Sequence, residues 1–250
     1  AKKAKKSKKL LKKPVRQSKV PRAQVHPWRP CPLGKHWVRA HPKHKVSNRG
    51  KPYIQNVGGF CRTNPSHKDH LYADDIHEIA DRHFSRLKGP PAASNLGFGS
   101  LGNKYDAMIR GWTRYWNEVL KPKDPLDPDV VKALIASESS FIVDKWNGLR
   151  GMKSARGLTQ VLNGTIPLLR DSKELSNHLI NLDEDDMLNP NLNICAGVRW
   201  LFRKKQLFEA TTKKPASWRD AVAKYKGVSP DEKRLMPRFD RYLRMLKGKK

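Results

Sequence analysis

Apolar side chains recur every three to four positions through most of the chain beyond residue 69, which is the period of an amphipathic helix. One stripe covers residues 76–87 and stops at Gly89, and a second covers residues 105–120 and stops before Pro122. Further helices are predicted at 165–170, at 172–180, after Asn189-Pro190, after the capping-box sequence 217–220 and from Ser229. Strict alternation is almost absent there, so the fold class is predicted to be mainly α.

Residues 127–160 are predicted to form one amphipathic helix, a polar loop and the start of a second helix. Asp127 can cap the first helix, and Pro128 suits its first position because the N–H that proline lacks has no partner there. The apolar positions share one face: Val130, Val131, Leu134, Ile135, Phe141 and Ile142. We expect this face to pack into the core.

An acidic residue, Glu138, lies on or beside this apolar face, four positions after Leu134 and three before Phe141. Removal from water disfavours the charged form of a carboxyl group, so Glu138 is expected to hold a proton near neutral pH. A general acid needs that condition. The alternative is an ordinary boundary residue whose carboxylate reaches water.

Four short motifs place Glu138 in a wider pattern. Residues 138–141 (ESSF) match E-S-x-F, and residues 154–160 (SARGLTQ) are close to G-A-x-G-L-x-Q. Residues 189–197 (NPNLNICAG) match N-P-x-x-N-I-x-x-G, and residues 221–227 (AVAKYKG) are close to A-x-A-Y-N-x-G. In this order, the motifs resemble the lytic transglycosylase SLT family, which is related to goose-type lysozymes.

The resemblance implies a lysozyme-like helical domain that cleaves the β-1,4 bond between N-acetylmuramic acid and N-acetylglucosamine. In that reaction one Glu acts as acid and then base, and the N-acetyl group of the sugar assists. The sugar's C6 hydroxyl replaces water, which leaves a 1,6-anhydromuramyl end. By motif match, Glu138 carries the proton. Ser139 and Gln160 would hydrogen-bond the saccharide or position Glu138, Asn193 would brace the helix packing or the sugar, and Tyr225 would contact the catalytic carboxyl. No cofactor and no metal ion is implied.

The chain departs from the family pattern at three places. The loop between Phe141 and Gly157 is longer and carries Lys145, Arg150 and Lys153, and Thr159 stands where the family usually has Met. Lys226 stands where the family has Asn, which leaves its role and that of Tyr225 open. Most glycosidases also use a second carboxylate. No second one accompanies Glu138 in the motifs, and Asp144 and residues 183–186 are the other candidates.

The charge is concentrated in the first quarter of the chain. The net charge is +29, and residues 1–68 contain twenty of the 52 Lys and Arg residues but none of the 23 Asp and Glu residues. Residues 1–27 are a Lys-rich, low-complexity tail that is predicted to be disordered. It would serve solubility, or anchor the protein to anionic envelope polymers or a membrane surface, with non-specific nucleic-acid affinity.

The lysines at the start of the chain are not followed by the apolar segment of a signal peptide, and no apolar run reaches transmembrane length. The resemblance implies action at the bacterial cell wall, in the periplasm or outside the cell, so we expect phage-type release or another non-classical route of delivery.

Residues 28–70 combine aromatic and cationic side chains, which would suit stacking on sugars or bases. Two short strands, 37–41 and 56–60, are predicted around a turn at 48–50. Cys31 and Cys61 would pair in an exported protein or stay reduced, and Cys195 is expected in the core. A zinc site would use the cysteines with His36, His41 and His44, but zinc sites usually bring cysteines in close pairs.

The predicted organisation is a tail (1–27), a basic loop and short-strand segment (28–70), an N-terminal helical layer (71–125) and a lysozyme-like catalytic domain (126–250), in a monomer. The leading hypothesis is a peptidoglycan lytic transglycosylase acting on glycan strands. A muramidase of the endolysin type would keep Glu138 and use water. A non-enzymatic protein that binds polyanions or nucleic acid is the alternative of another class.

Overall fold

The computed structural model of the protein describes residues 27–66 and 68–248. The predicted Lys-rich tail lies outside this part of the chain, apart from Pro27. Helices dominate the described residues, as predicted. No helix in these two segments is long and apolar enough to cross a membrane.

The basic segment forms an N-terminal ribbon of four antiparallel strands. The outer pair joins β1 (Lys35–Val38) to β4 (Phe60–Thr63), and the inner pair joins β2 (His41–Val46) to β3 (Pro52–Val57). The predicted turn is confirmed, because Gly50 adopts a left-handed φ of 73° inside the β2–β3 connection. The structure has four strands here rather than the predicted two, because each predicted strand (37–41 and 56–60) spans the break between two consecutive strands.

The segment before the ribbon is attached to the helical body. Cys31 and Cys61 form a disulfide with Cα atoms 5.7 Å apart. Trp28 is buried against Phe84 and Tyr115, with ring centroids 6.2 and 6.3 Å away. The described residues contain no group of His, Cys, Asp and Glu side chains arranged to hold a metal ion.

The first helices follow the predicted stripes. α1 (Ala73–His83) continues into a 3₁₀ turn at Phe84–Arg86, a short α2 (Leu101–Lys104) follows, and α3 (Asp106–Leu120) packs its aromatic face into the core. The nitrogen of buried Trp116 donates to the carbonyl oxygen of Cys195 at 3.1 Å, and that cysteine is free and buried. The expectation that Cys195 is a core residue is confirmed.

Helix α4 (Pro128–Glu138) begins as predicted, since the Asp127 side chain accepts from the backbone N–H of Asp129 at 2.9 Å. It was predicted to continue through Ile142, and that prediction was wrong. Ser140 and Phe141 adopt left-handed φ angles of 56° and 63°, which end the helix. Phe141 turns back into the core beside Phe98, whereas Ile142 is exposed. Glu138 is therefore the last helical residue.

The prediction of a second helix near Gln160 was also wrong. β6 (Ala155–Arg156) and β7 (Val161–Leu162) form a hairpin there, with left-handed φ angles of 82° at Gly157 and 51° at Gln160. After a 3₁₀ turn at Asn163–Thr165 come two short helices, α5 (Ile166–Leu169) and α6 (Ser172–Leu175).

The helix predicted over 172–180 stops at Leu175. Ser176 and His178 have left-handed φ angles of 61° and 51°, and β8 (Leu179–Asn181) pairs in parallel with β5 (His70–Tyr72). A short apolar run does not reveal helix or strand by its period, and this strand's partner is about a hundred residues away.

The centre of the helical body is α7 (Pro190–Thr212), in which residues 191–202 are all buried. Its neighbour α8 (Trp218–Lys226) begins with the predicted capping box of Ser217 and Asp220, and a 3₁₀ turn at Asp185–Leu188 precedes α7. α9 (Leu235–Leu246) begins six residues later than predicted and packs along α4.

Candidate active site

A cleft of about 360 Å³ lies where the C-terminal ends of α4 and α8 meet the β6–β7 hairpin and the start of α9. Glu138 and Ser137 reach it from α4, and Tyr225 and Lys226 reach it from α8. Gln160 reaches it from the hairpin. Sequence positions almost ninety residues apart therefore share one cavity.

Glu138 occupies the boundary between core and cleft. Helix α4 before it is buried from Val130 to Ser137, whereas the Glu138 side chain is 19% exposed. The early end of α4 directs this carboxyl into the cleft, because the chain reverses at Ser140. The sequence predicted that Glu138 lies beside the apolar face. Its side chain reaches the cleft because the helix ends at this residue.

The carboxylate of Glu138 forms an ion pair with the ammonium group of Lys226. The Lys226 side chain is only 4% exposed, so this pair is largely removed from water. The expectation was a carboxyl enclosed by apolar side chains. The structure instead gives Glu138 a charged partner, which the motif position alone did not indicate.

Gln160, in the connection between β6 and β7, and Tyr225, near the end of α8, both line the cleft. The Gln160 amide donates to the carbonyl oxygens of Lys145 and Gly157 at 2.8 and 2.9 Å, which fixes its orientation. The Tyr225 hydroxyl donates to the Thr159 carbonyl oxygen at 2.9 Å. Burial of this hydroxyl raises the pKa of Tyr225, and the charge of nearby Glu138 raises it further. Tyr225 therefore stays a neutral hydrogen-bonding group.

Ser139 and Asn193 lie behind the cleft. Ser139 is 1% exposed, and its hydroxyl donates to the carbonyl oxygen of Ile135 at 3.2 Å. Asn193 has no exposed surface, and its side chain bonds to Thr159, Arg156 and Met187. Both side chains are thus engaged with protein atoms.

Six residues line the cleft that the motifs did not identify: Ser137, Lys145, Asn147, Leu162, Leu235 and Arg238. Asn147 donates to the carbonyl oxygen of Lys153 at 2.8 Å and accepts from the backbone N–H of Ala155, so it holds the longer loop against the hairpin. Arg238 donates to the Ser140 hydroxyl at 3.0 Å. The longer, cationic loop between Phe141 and Gly157 was the sequence feature that could have indicated Lys145 as a cleft residue. No sequence pattern indicated Arg238.

Glu138 is the acidic side chain among the described residues that line this cleft. Asp144 is exposed on the loop after α4 and does not line it. Asp183, Glu184 and Asp185 border a separate cavity of about 400 Å³. The arrangement therefore offers one carboxyl group for proton transfer, surrounded by hydrogen-bond donors and cations.

Residues 115–232 match the family described as Transglycosylase SLT domain. Comparisons with curated proteins and with solved structures gave no significant match. The matched segment contains α4, the β6–β7 hairpin, α7 and α8, and hence all four motifs that line or support the cleft. Residues 115–232 are therefore similar to the Transglycosylase SLT domain family.

Proposed function

We propose that the protein is a peptidoglycan lytic transglycosylase in which Glu138 is the single acid and base. The observation that carries the proposal is the position of Glu138 in a cleft that holds no other acidic side chain among the described residues. A reaction that needs a second carboxylate would lack it here. A reaction in which the sugar supplies its own nucleophile does not need one.

In the proposed reaction, Glu138 donates a proton to the glycosidic oxygen as the bond to the anomeric carbon breaks. The carbonyl oxygen of the N-acetyl group stabilises that carbon from the opposite side. The Glu138 carboxylate then accepts the proton of the C6 hydroxyl, whose oxygen bonds to the anomeric carbon. The products are a chain with a free 4-hydroxyl and a chain that ends in 1,6-anhydromuramic acid.

The other predicted site residues fall into two groups, those that line the cleft and those that are buried behind it. Gln160 and Tyr225 line the cleft and would contact the saccharide. Ser139 and Asn193 are buried and bonded to backbone groups, so we assign them to positioning the end of α4 and the β6–β7 connection. The substrate is the glycan strand of the cell wall, and the disulfide between Cys31 and Cys61 suits a protein that acts outside the reducing cytosol.

The test compares wild type with Glu138→Gln on purified sacculi, by turbidity clearing and by mass spectrometry of the released fragments. We expect the substitution to lower the clearing rate by at least about 100-fold, because it removes the proton donor. Asp144→Asn is the matched control and should keep full activity. Fragments from wild type should lack one water relative to hydrolysis products. Intact reducing ends would instead identify a muramidase.

The non-enzymatic alternative predicts that the tail lysines, and not Glu138, are needed for function. If Glu138→Gln retained function while neutral replacements of the lysines in residues 1–27 abolished it, the protein would act as a polyanion-binding protein.

A further inference from the structure

The β2–β3 hairpin of the N-terminal ribbon (residues 41–57) lies open to solvent on both faces. All of its strand residues are exposed or half-buried, and the apolar side chains of Val46 and Ile54 are 69% and 61% exposed. A two-stranded hairpin with both faces in water is only marginally stable by itself. The hairpin therefore has apolar surface that a partner would stabilise by covering it.

Helix α1 holds the base of this hairpin in place. The backbone N–H of Trp37 donates to the Asp75 carboxylate at 2.7 Å, and that of Arg39 donates to the Asp74 carboxylate at 3.2 Å. The Arg39 side chain also pairs with Asp81. These carboxylates bind the base of the ribbon, so they leave the cations of the hairpin itself without compensation.

All formal charges of the hairpin at neutral pH are positive. It contains Lys43, Lys45, Arg49 and Lys51 and neither Asp nor Glu. None of these four side chains forms an ion pair with any of residues 27–66 and 68–248. Such a concentration of one sign of charge attracts an anionic surface.

The strand register separates the lysines from the apolar side chains. Lys43 and Lys45 are two positions apart and therefore lie on one face, which they share with Tyr53, the residue opposite Lys45. Val46 and Ile54 lie on the other face. The remaining residues of that second face are Pro42, His44, Pro52 and Asn56. The hairpin is thus amphipathic, as are the helices that lie in the surface of a membrane.

We propose that the β2–β3 hairpin docks on a bilayer rich in anionic phospholipids. Val46 and Ile54 would enter the boundary of the acyl chains, while Arg49 and Lys51 in and beside the turn would meet the phosphates. The ribbon is only two strands wide, with about 5 Å between the strands, so the flexible lysine stems of the opposite face reach the head groups around its edges. A polyanion in water, such as nucleic acid, would pair with the cations but leave the apolar face uncovered.

The experiment measures sedimentation of the full chain with vesicles of phosphatidylglycerol and, separately, of phosphatidylcholine. Wild type should bind the anionic vesicles more tightly. Val46→Ser combined with Ile54→Ser should weaken this binding by at least about tenfold, because less apolar area leaves water. Lys43→Gln combined with Lys45→Gln should weaken it by about fivefold for each charge removed.

Matched double variants on the helical body are the controls. Leu101→Ser with Met245→Ser replaces exposed apolar side chains, and Lys214→Gln with Lys233→Gln replaces exposed lysines. Both should bind the anionic vesicles as wild type does. All variants should keep the wild-type Tm, because none of the replaced side chains is buried.

A fluorophore that is sensitive to polarity reports which face meets the lipid. Attached to Ile54→Cys, it should emit at shorter wavelength when phosphatidylglycerol vesicles are added. Attached to Gln55→Cys on the lysine face, it should keep its emission in water. The free Cys195 is buried and does not compete for the label.

Absence of wild-type binding to the anionic vesicles, or wild-type affinity in both hairpin double variants, would overturn the proposal. In the second case residues 1–27 would carry the binding. A loss confined to the lysine variant, with full competition by single-stranded DNA, would also overturn it and identify the hairpin as a site for polyanions in water. These measurements involve no glycan cleavage, so their result is independent of the proposed function.

Discussion

At the scale of single residues, Asn193 connects the core to the site without reaching the cleft. Its side-chain oxygen accepts from the backbone N–H and the hydroxyl of Thr159 at 2.8 and 2.7 Å. Its amide donates to the carbonyl oxygens of Arg156 and Met187, both at 3.1 Å. One buried side chain therefore satisfies backbone groups on both sides of the hairpin connection that carries Gln160.

Replacing Asn193 with Ala should lower the free energy of unfolding by about 3 kcal/mol, because several buried polar groups lose their partners together. Urea unfolding measures this change. Asn163→Ala is the control, since its amide bonds to Glu184 at the exposed surface and its loss should change stability by less than about 0.5 kcal/mol. Equal effects of the two substitutions would argue against the bracing role.

At the scale of elements, the site depends on how closely α7 approaches the β6–β7 connection. A Cβ atom added at Gly197 would lie 2.3 Å from the hydroxyl oxygen of Thr159, a distance that side chains do not tolerate. Only a hydrogen atom fits there. This contact lets Thr159 bond to Asn193 on the preceding turn of α7 and places Gln160 at the cleft.

The substitution Gly197→Ala should therefore destabilise the protein by about 1–3 kcal/mol despite the higher helix propensity of Ala. It should also lower activity by displacing the hairpin. In a Thr159→Gly background the three side-chain atoms that the added methyl group would meet are absent, so the cost of Gly197→Ala should shrink. A double-mutant cycle on unfolding free energies measures this coupling, and strict additivity would contradict the proposed contact.

At the scale of the whole molecule, a charge cluster around the buried Arg29 joins the segment before the N-terminal ribbon to the helical body. Arg29 is paired with Asp69, and His178 approaches the same carboxylate at 3.2 Å. Burial by itself would raise the pKa of Asp69, but hydrogen bonds from His178 and Arg29 and their charges outweigh it and leave the pKa below its ordinary value.

A lowered pKa in the folded state means that Asp69 adds stability above its unfolded pKa of about 4, and that this contribution is lost as pH falls through the folded value. Asp69→Asn should therefore cost about 2 kcal/mol at neutral pH, with a difference from wild type that narrows below about pH 4. Chemical unfolding at pH 7, 5 and 3 measures it. Asp81→Asn removes an exposed partner of Arg39 and should change little at any pH.

Several elements were predictable because their signals are local. The period of the apolar residues and the capping residues Asp127, Asn189 and Ser217 correctly located most helices, and the spacing of Glu138 from its apolar neighbours placed it beside the core. The β6–β7 hairpin and β8 were not predictable, since their short apolar runs gain strand conformation only from distant partners or left-handed turn residues.

The sequence by itself determined the mainly helical fold, the resemblance to the SLT family and the leading acidic candidate, Glu138, because periodicity and motif spacing are properties of neighbouring positions. Only the tertiary structure decided that α4 ends at Glu138, that Asn193 and Ser139 face inward, and that Lys226 is the partner of the carboxylate. The physical reason is that an ion pair forms between side chains that packing brings together, here 88 positions apart in the chain.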